Sequence, residues 1–242
     1  RLDDAPDRHD DAKVGPHRRF AFTSMPLERV KAVKSALGVT VNDVVLGMCS
    51  GALRTYLAER DALPDSSLRC MIPVSVRTDE QANTYGNRVS GMFAALATDV
   101  DDPVERIRII HTETLRAKQT MGALPADLLS DVAQVAPPAV TAQAARVIFR
   151  TTLATRIDPP FNLIISNVPG PQFPLYVGSA EMLTYIPVSA IADTQGLNIT
   201  IMSYNGRCDF GLVACRDLVP DLWDLCHGLV DALDELEEVA GV

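Results

Sequence analysis

The four histidines are the first candidates for acid–base chemistry in this 242-residue chain. Only His227 has an acid four residues on, in His227-Gly-Leu-Val-Asp231, a spacing that superficially matches an H-x-x-x-D general base. On a helix the same spacing simply brings an imidazole and a carboxylate onto one surface, which is the better interpretation. His9 and His17 belong to a polar opening segment, and His111 is predicted on the surface of a helix.

Other familiar catalytic signatures are missing. The chain has no G-x-G-x-x-G, no phosphate-loop G-x-x-x-x-G-K, no G-x-S-x-G elbow and no residues at metal-ligand spacing. Its five cysteines include no C-x-x-C pair, and Cys208 and Cys215 are seven apart, which on a strand puts them on opposite faces. We interpret the cysteines as buried free thiols of a reducing cytosol, and we expect neither a metal site nor a cofactor.

Polar side chains stand where two predicted strands end. Ser75 and Arg77 finish one strand, a place where polar groups often face a site. Arg77 is able to pair bidentately with a phosphate, or only with an interdomain carboxylate. Ser166 and Asn167 close a buried strand just before Pro169-Gly170-Pro171, a stiff turn. Their side chains either face a ligand or satisfy the backbone of that turn.

A helix start is predicted at Thr40-Val-Asn-Asp43, where Asp43 has the spacing of the third-position acid of a capping box with Thr40. Asn42 beside it is expected to tie neighbouring backbone together. Small residues follow along one side of this helix, at Gly47, Ser50 and Gly51. The pattern predicts that another element packs closely there.

Length and charge limit the classes of protein. At about 150 residues per domain, the chain is one large domain or two small ones. A pI near 4.9 argues against a protein that coats nucleic acid. The formal charge is −9, and nearly all of it comes from 217–242, which carries eight acids and no Lys or Arg. Residues 220–239 are predicted as an amphipathic helix with a solvated acidic back, and no stretch approaches the ~20 apolar residues of a transmembrane helix.

Alternation and helical spacing predict a mixture of strands and helices without repeats. Strands are expected at 20–24, 68–76, 88–97, 161–166, 197–204 and 208–214, and helices at 26–37, from 40, at 101–118, within 122–157 and at 220–239. Asn205-Gly206 between two alternating runs predicts a tight hairpin. The pattern favours an α/β sandwich with a mixed, mostly antiparallel sheet and flanking helices, preceded by a linker over 1–19.

Six short motifs then occur in one order along the chain. They are Asn42-Asp-Val-Val-Leu46 with Ser50-Gly-Ala-Leu53, Pro73-Val-Ser-Val-Arg77, Gly86-Asn87, Ile165-Ser-Asn-Val-Pro-Gly-Pro171, Ser203-Tyr-Asn-Gly206 and Asp209-Phe-Gly-Leu212. From about Gly15 to the C-terminus, the set resembles the C-terminal half of the bacterial wax ester synthase/diacylglycerol acyltransferase family. That family is similar in fold to chloramphenicol acetyltransferase, condensation domains and carnitine acyltransferases. Cys208 and Cys215 depart from the aliphatic residue and the aspartate that are usual there.

The resemblance implies transfer of a fatty acyl group from acyl-CoA, a co-substrate, to diacylglycerol or a long-chain alcohol. The family's general base is a histidine of an H-H-x-x-x-D-G motif, and this chain has no adjacent histidines. By analogy with the carnitine enzymes, Ser166 or Asn167 supports the oxyanion. The other motif positions implied in substrate or CoA binding are Asn42, Asp43, Ser75, Arg77, Asn87, Gly170 and Pro171.

The resemblance also implies the organisation of a longer protein. The chain opens on Arg1, so we expect 1–19 to be an interdomain linker, 20–242 the C-terminal acyltransferase domain, and an N-terminal half with the base to lie upstream. We expect that half, acyl-CoA and the acceptor lipid as partners, no nucleic acid, and a cytoplasmic protein in peripheral contact with a membrane or lipid droplet. The alternatives are a non-catalytic acyl-CoA- or lipid-binding module, or a superfamily acyltransferase with another acceptor.

Overall fold

The computed structural model describes residues 14–75, 89–123, 161–191 and 195–242. The strands there are β1 (Arg18–Pro26), β2 (Arg69–Ser75), β3 (Val89–Ala95), β4 (Leu163–Pro169), β5 (Tyr176–Val177), β6 (Ala180–Glu181), β7 (Leu197–Tyr204) and β8 (Arg207–Cys215). The helices are α1 (Leu27–Leu37), α2 (Val41–Ala58), α3 (Pro103–Ala123) and α4 (Leu222–Ala240). The helices predicted within 122–157 fall largely outside the described residues.

The main sheet has six strands in the order β1-β8-β7-β4-β2-β3. β4 is parallel to both of its neighbours, and the other adjacent pairs are antiparallel. The prediction of a mixed, mostly antiparallel sheet with flanking helices is therefore confirmed. β1 begins at Arg18, so the last two residues of the predicted linker already pair with β8. β5 and β6 form a separate two-stranded ribbon.

The predicted hairpin joins β7 and β8. Asn205 and Gly206 both have positive φ, at 43° and 79°, which a two-residue hairpin turn requires and which these residue types tolerate. The turn pairs Tyr204 with Arg207, and the register then runs to Leu197 opposite Ala214. Alternate residues of both strands lie in the hydrophobic core, namely Leu197, Ile199, Ile201, Cys208, Phe210, Leu212 and Ala214.

Helix α2 is buried along most of its length, and its small residues explain how. A Cβ placed on Gly47 would touch Ile107 of α3 and Leu236 of α4 at 3.5–3.6 Å. A Cβ on Gly51 would come within 3.1 Å of the Cβ of Ala232 in α4. The predicted close packing against the small residues of α2 is confirmed. Two helices, α3 and α4, pack there.

The acidic side of α4 faces solvent, as predicted, and it also contacts arginines of other elements. Four acids of α4, and Asp221 just before the helix, lie within ion-pair distance of arginines from other elements. Arg29 of α1 contacts Asp234 and Glu237, Arg106 of α3 contacts Glu235, and Arg60 after α2 contacts Asp221 and Asp224. Arg106 is only 3% exposed, and its Nη2 lies 2.7 Å from Glu235 Oε2. Exposed ion pairs of this kind contribute little stability each, so apolar packing holds α4 on the helix layer.

The cysteines are free and buried, as predicted. Burial raises the pKa of Cys70 to about 12 and the pKa of Cys208 and Cys226 to about 11, so these thiols stay protonated and unreactive at neutral pH.

Among the described helices, no single one is long and apolar enough to cross a membrane. α1 and α2 pass such a test only as a pair, and they are bent by 101° relative to each other.

Candidate active site

Ser166 and Asn167 lie inside β4 rather than at its end, because the strand continues through Pro169. Consecutive residues of a strand point to opposite faces of the sheet. Asn167 shares a face with Leu163 and Ile165, which belong to the hydrophobic core. Ser166 therefore lies on the other face. Only one of the two predicted oxyanion donors can serve a given site, and Ser166 is the one directed away from the core.

A polar row crosses the sheet beside Ser166. The parallel register places Ser166 next to Thr200 of β7 and Ile164 next to Asn198. Thr200 Oγ1 donates to Asn198 Oδ1 at 2.8 Å, and its one hydrogen is then used. The hydroxyl of Ser189 lies 2.7 Å from Thr200 Oγ1, within hydrogen-bond distance. The hydrogen-bonded row of Ser189, Thr200 and Asn198 thus lies next to Ser166.

The sequence analysis missed Asn198 and Thr200. Both alternate with buried aliphatic residues of β7, which is typical of a strand with one solvated face. Each is nevertheless only 5% exposed. A signal for these residues was present in the sequence. An amide and a hydroxyl side chain stand two residues apart on β7, so they share one face of that strand.

Residues 172–191 cover this face and are called the strap. Tyr185 N donates to Asp209 Oδ2 at 2.6 Å, and Asp209 is fully buried. The carbonyl oxygen of Pro187 approaches β8 so closely that a Cβ on Gly211 would lie 1.8 Å from it. Tyr204 Oη donates to the carbonyl of Met182 at 2.9 Å. The Asp209-Phe-Gly211 motif therefore forms the contact surface for the strap. Asp209 and Gly211 contact the strap, and Phe210 between them lies in the core.

Gly170 and Pro171 belong to a joint between two of the predicted motifs. Gly170 N donates to the carbonyl of Ser203 at 2.9 Å, and Asn205 N donates to the carbonyl of Pro171 at 3.1 Å. A Cβ on Gly170 would lie 2.5 Å from that Ser203 oxygen, so only glycine fits. Within the described residues, no side-chain hydrogen bond from Ser166 or Asn167 braces this turn.

Asp43 is the centre of a separate buried polar cluster between α2 and α3. The predicted capping box is confirmed, with Thr40 and Asp43 each accepting from the other's backbone N–H. The carboxylate also accepts from Thr114 Oγ1 at 2.8 Å and lies 2.7 Å from His111 Nδ1. Asp43 itself is fully buried. Burial alone would raise the pKa of Asp43, but the hydrogen bonds from His111, Thr40 and Thr114 outweigh it and lower that pKa.

His111 lies on α3 with a partly exposed side chain, as predicted, and it also contacts a buried carboxylate. Its side chain is 30% exposed, and its Nδ1 points at the buried Asp43 carboxylate. The sequence offered no signal for this contact, because the two residues are 68 positions apart. Asn42 is half-buried beside Asp43. His227 is exposed on α4, as the surface interpretation predicts.

The other predicted positions are only partly placed. Ser75 ends β2 in register with Val89 of β3. Arg77 and Asn87 lie outside the described residues. Within the described ranges, no group of three or more His, Cys, Asp and Glu side chains is arranged to hold a metal ion.

We predict that Gly211→Ala releases the strap, because its Cβ would overlap the carbonyl oxygen of Pro187, which is backbone and cannot rotate away. The melting temperature should fall, and amide hydrogen exchange should accelerate across 172–191. The matched control is Gly91→Ala in β3, where the new Cβ meets only the flexible Met71 side chain at 3.4 Å. Equal exchange protection of the strap in both variants would contradict the assignment of this contact surface.

A second prediction concerns pH. Because the folded-state pKa of Asp43 is lowered, the stabilisation it supplies is complete above the unfolded value of about 3.9 and is lost as pH falls through the lower folded value. Asp43→Asn should therefore cost about 1–3 kcal/mol at pH 7 and flatten the acid limb of the stability curve. Urea unfolding from pH 2 to 7 checks this. Asp101→Asn, at a 95% exposed side chain, should keep the wild-type acid limb.

Comparisons with known proteins come from both sequence and structure. Residues 85–237 match the family described as the WS/DGAT C-terminal domain, and residues 4–45 match the wax ester synthase/diacylglycerol acyltransferase catalytic domain. A probable diacylglycerol O-acyltransferase of Mycobacterium tuberculosis is 44% identical over 98% of this chain and 51% of its own length. The O-acyltransferase WSD of Acinetobacter baylyi is 38% identical over 94% of this chain and 48% of its own length. The chain spans about half the length of these curated relatives.

Solved structures are also similar to this chain. The wax ester synthase/diacylglycerol acyltransferase of Marinobacter aquaeolei VT8 aligns with a TM-score of 0.78 at 38% identity, over 95% of this chain and 51% of that one. A condensation domain from the enacyloxin polyketide synthase aligns at 0.56 with 15% identity, over 90% of this chain and 41% of that one. The second likeness shows the fold alone, and it confirms the predicted fold class.

Proposed function

Because the chain belongs to the wax ester synthase/diacylglycerol acyltransferase family, we propose that it is the C-terminal half of an acyl-CoA-dependent O-acyltransferase. The acceptor is the hydroxyl of diacylglycerol or of a long-chain alcohol, and the product is triacylglycerol or wax ester. The observation that carries the proposal is 44% identity over 98% of this chain to a relative named as a probable diacylglycerol O-acyltransferase.

The reaction needs a base and oxyanion donors, and we propose that this chain supplies a donor. A base takes the proton of the acceptor hydroxyl as its oxygen attacks the thioester carbonyl carbon. Donors stabilise the resulting oxyanion, which collapses to the ester and expels the CoA thiolate, and that thiolate recovers the proton. Ser166 is our candidate donor, since its face of β4 carries the polar row through Thr200. The base belongs to the N-terminal half.

We further propose that the N-terminal half docks on the strap. The strap carries large apolar side chains that are unusually exposed, with Phe173 at 61%, Val177 at 80%, Leu183 at 74% and Val188 at 72%. Exposed apolar groups of this density mark an interaction surface. The strap also covers the sheet face that carries Ser166 and Thr200, so a half that brings the base to this site must approach the strap.

Localisation and cofactor use follow from the same proposal. Acyl-CoA is a co-substrate, and no resident cofactor takes part. The buried reduced cysteines fit a cytoplasmic protein. Contact with a membrane or lipid droplet would be peripheral.

The first test changes Ser166 in the full-length enzyme. Ser166→Ala should lower kcat by on the order of 100- to 1000-fold, because an oxyanion donor is lost, with little change in melting temperature. Asn167→Ala, on the core face of the same strand, should instead lower stability more than turnover. Ser35→Ala is the matched control, since that hydroxyl only donates to the Lys31 carbonyl on α1. Unchanged turnover in Ser166→Ala would remove it from the site.

The second test is reconstitution from two halves. This chain alone should form no ester from acyl-CoA and either acceptor, and adding the N-terminal half should give a product signal that disappears when its adjacent histidines are replaced. Leu183→Asp in the strap should weaken assembly of the halves, measured by titration calorimetry. Leu115→Asp, at a 44% exposed position on α3, is the control. A correctly assembled protein without ester formation would refute the proposed function.

A further inference from the structure

The turn between β7 and β8 contains a chemically labile pair of residues. Asn205 is the one asparagine of the chain that is followed by glycine, and both Asn205 and Gly206 are exposed. Asparagine is among the thermally labile residues of proteins. Glycine has no Cβ that would hinder its own backbone nitrogen from approaching the preceding side chain. The pair is therefore the candidate in this chain for a spontaneous covalent change.

The change is an attack of the backbone on a side chain. The Gly206 nitrogen gives up its proton and bonds to Cγ of Asn205, while the Cγ–Nδ2 bond breaks and the amide nitrogen leaves as ammonia with that proton. Water then opens the resulting cyclic imide at either of its carbonyl groups. The product is aspartate or isoaspartate, and each carries one more negative charge than the asparagine it replaces.

In the folded protein, three consecutive peptide groups of this turn are each bonded to another segment. Asn205 N–H donates to the carbonyl of Pro171 at 3.1 Å. Leu27 N–H donates to the carbonyl of Gly206 at 2.9 Å. Between them, the attacking nitrogen itself, Gly206 N, donates to Oε1 of Gln172 at 3.1 Å. Ring closure needs this middle peptide plane to rotate, so the bond to Gln172 must break first.

The side chain of Gln172 is oriented for this contact by its other amide atom. Nε2 donates to the carbonyl of Gly170 at 3.0 Å and to Oγ of Ser203 at 3.4 Å. Of the three bonds that hold the turn, the bond to Gln172 is the one made by a side chain, and that side chain is exposed. Exposed hydrogen bonds of this kind open at low cost in free energy.

We propose that Asn205 is a deamidation site and that opening of the Gln172 hydrogen bond sets its rate. While the bond is made, the nitrogen of Gly206 is held in the turn and the ring cannot close. When the bond opens, the nitrogen can reach Cγ of Asn205. The reaction needs only water as a co-reactant, so the inference is independent of the proposed function.

The products weaken the joint between β4 and β7. Isoaspartate adds one carbon atom to the backbone of a two-residue turn that depends on φ values of 43° and 79°. The N–H of residue 205 then no longer meets the carbonyl of Pro171. The neighbouring bond from Gly170 N to the carbonyl of Ser203 loses its support, so deamidation loosens the end of β4.

Peptide mapping by mass spectrometry measures the reaction in the full-length protein, through the small mass gain when an amide nitrogen is replaced by oxygen. In mildly alkaline buffer the folded protein should react more slowly than the same protein in guanidinium chloride. Folded Gln172→Ala should react about two- to tenfold faster than folded wild type, the factor by which loss of one hydrogen bond changes an opening equilibrium. The rate should rise with pH, because the attacking nitrogen must lose its proton.

Two further variants are the controls. Gln119→Ala removes an exposed glutamine side chain from α3 and should leave the rate at Asn205 unchanged. Asn205→Gly keeps a residue that tolerates positive φ, so it should give no modified peptide and a melting temperature close to that of the wild type. Circular dichroism melting confirms that each variant is folded.

Each contrary result overturns a stated part of the inference. If folded wild type stays unmodified while the denatured protein reacts to completion, Asn205 is not a site of modification in the native protein. Equal rates in folded wild type and folded Gln172→Ala would overturn the role of Gln172. Hydrogen exchange at Gly170 N–H should accelerate in the purified deamidated protein, and unchanged exchange there would overturn the loosening of the joint.

Discussion

Six residue pairs hold β4 parallel to β7, from Ile164 beside Asn198 to Pro169 beside Ser203. Parallel neighbouring strands cannot be joined by a short turn, and β4 and β7 are some thirty residues apart in sequence. The residues between the two strands must therefore pack elsewhere on the sheet. That requirement creates the strap, which follows the end of β4 and crosses the sheet face. The same pairing aligns Ser166 with Thr200.

The two faces of the sheet consequently differ in composition and in structural role. The core face carries Leu163, Ile165 and the aliphatic residues of β7 against the helices, and it supplies the stability. The opposite face buries polar residues under the strap, where each hydroxyl and amide needs a defined partner. Asn198, Thr200 and Ser189 meet that need by bonding to one another. A site that orients a reacting carbonyl requires side chains fixed by hydrogen bonds of this kind.

The helix layer combines apolar packing with ion pairs at its surface. Gly47 and Gly51 let α3 and α4 approach α2, and arginines from three other segments then meet the acids of α4. The Asp43 cluster adds a buried carboxylate that joins the start of α2 to the middle of α3. The net charge of the chain is therefore a poor guide to its surfaces, because many of its acids are already paired within the fold.

Much of this protein was determined by sequence alone. The alternating runs, the Asn205–Gly206 turn and the Thr40–Asp43 cap are local, and local backbone preferences act over a few residues, so these elements and the mixed sheet were predictable. The ordered motifs likewise indicated the family. Tertiary structure alone decided which motif residues share a site. It separated Ser166 from Asn167 by extending β4, joined Gly170 to Ser203, brought His111 to Asp43 across 68 residues, and covered Asn198 and Thr200 with a strap. The physical reason is that strand register and face, which fix side-chain neighbours, are set by partners distant in sequence.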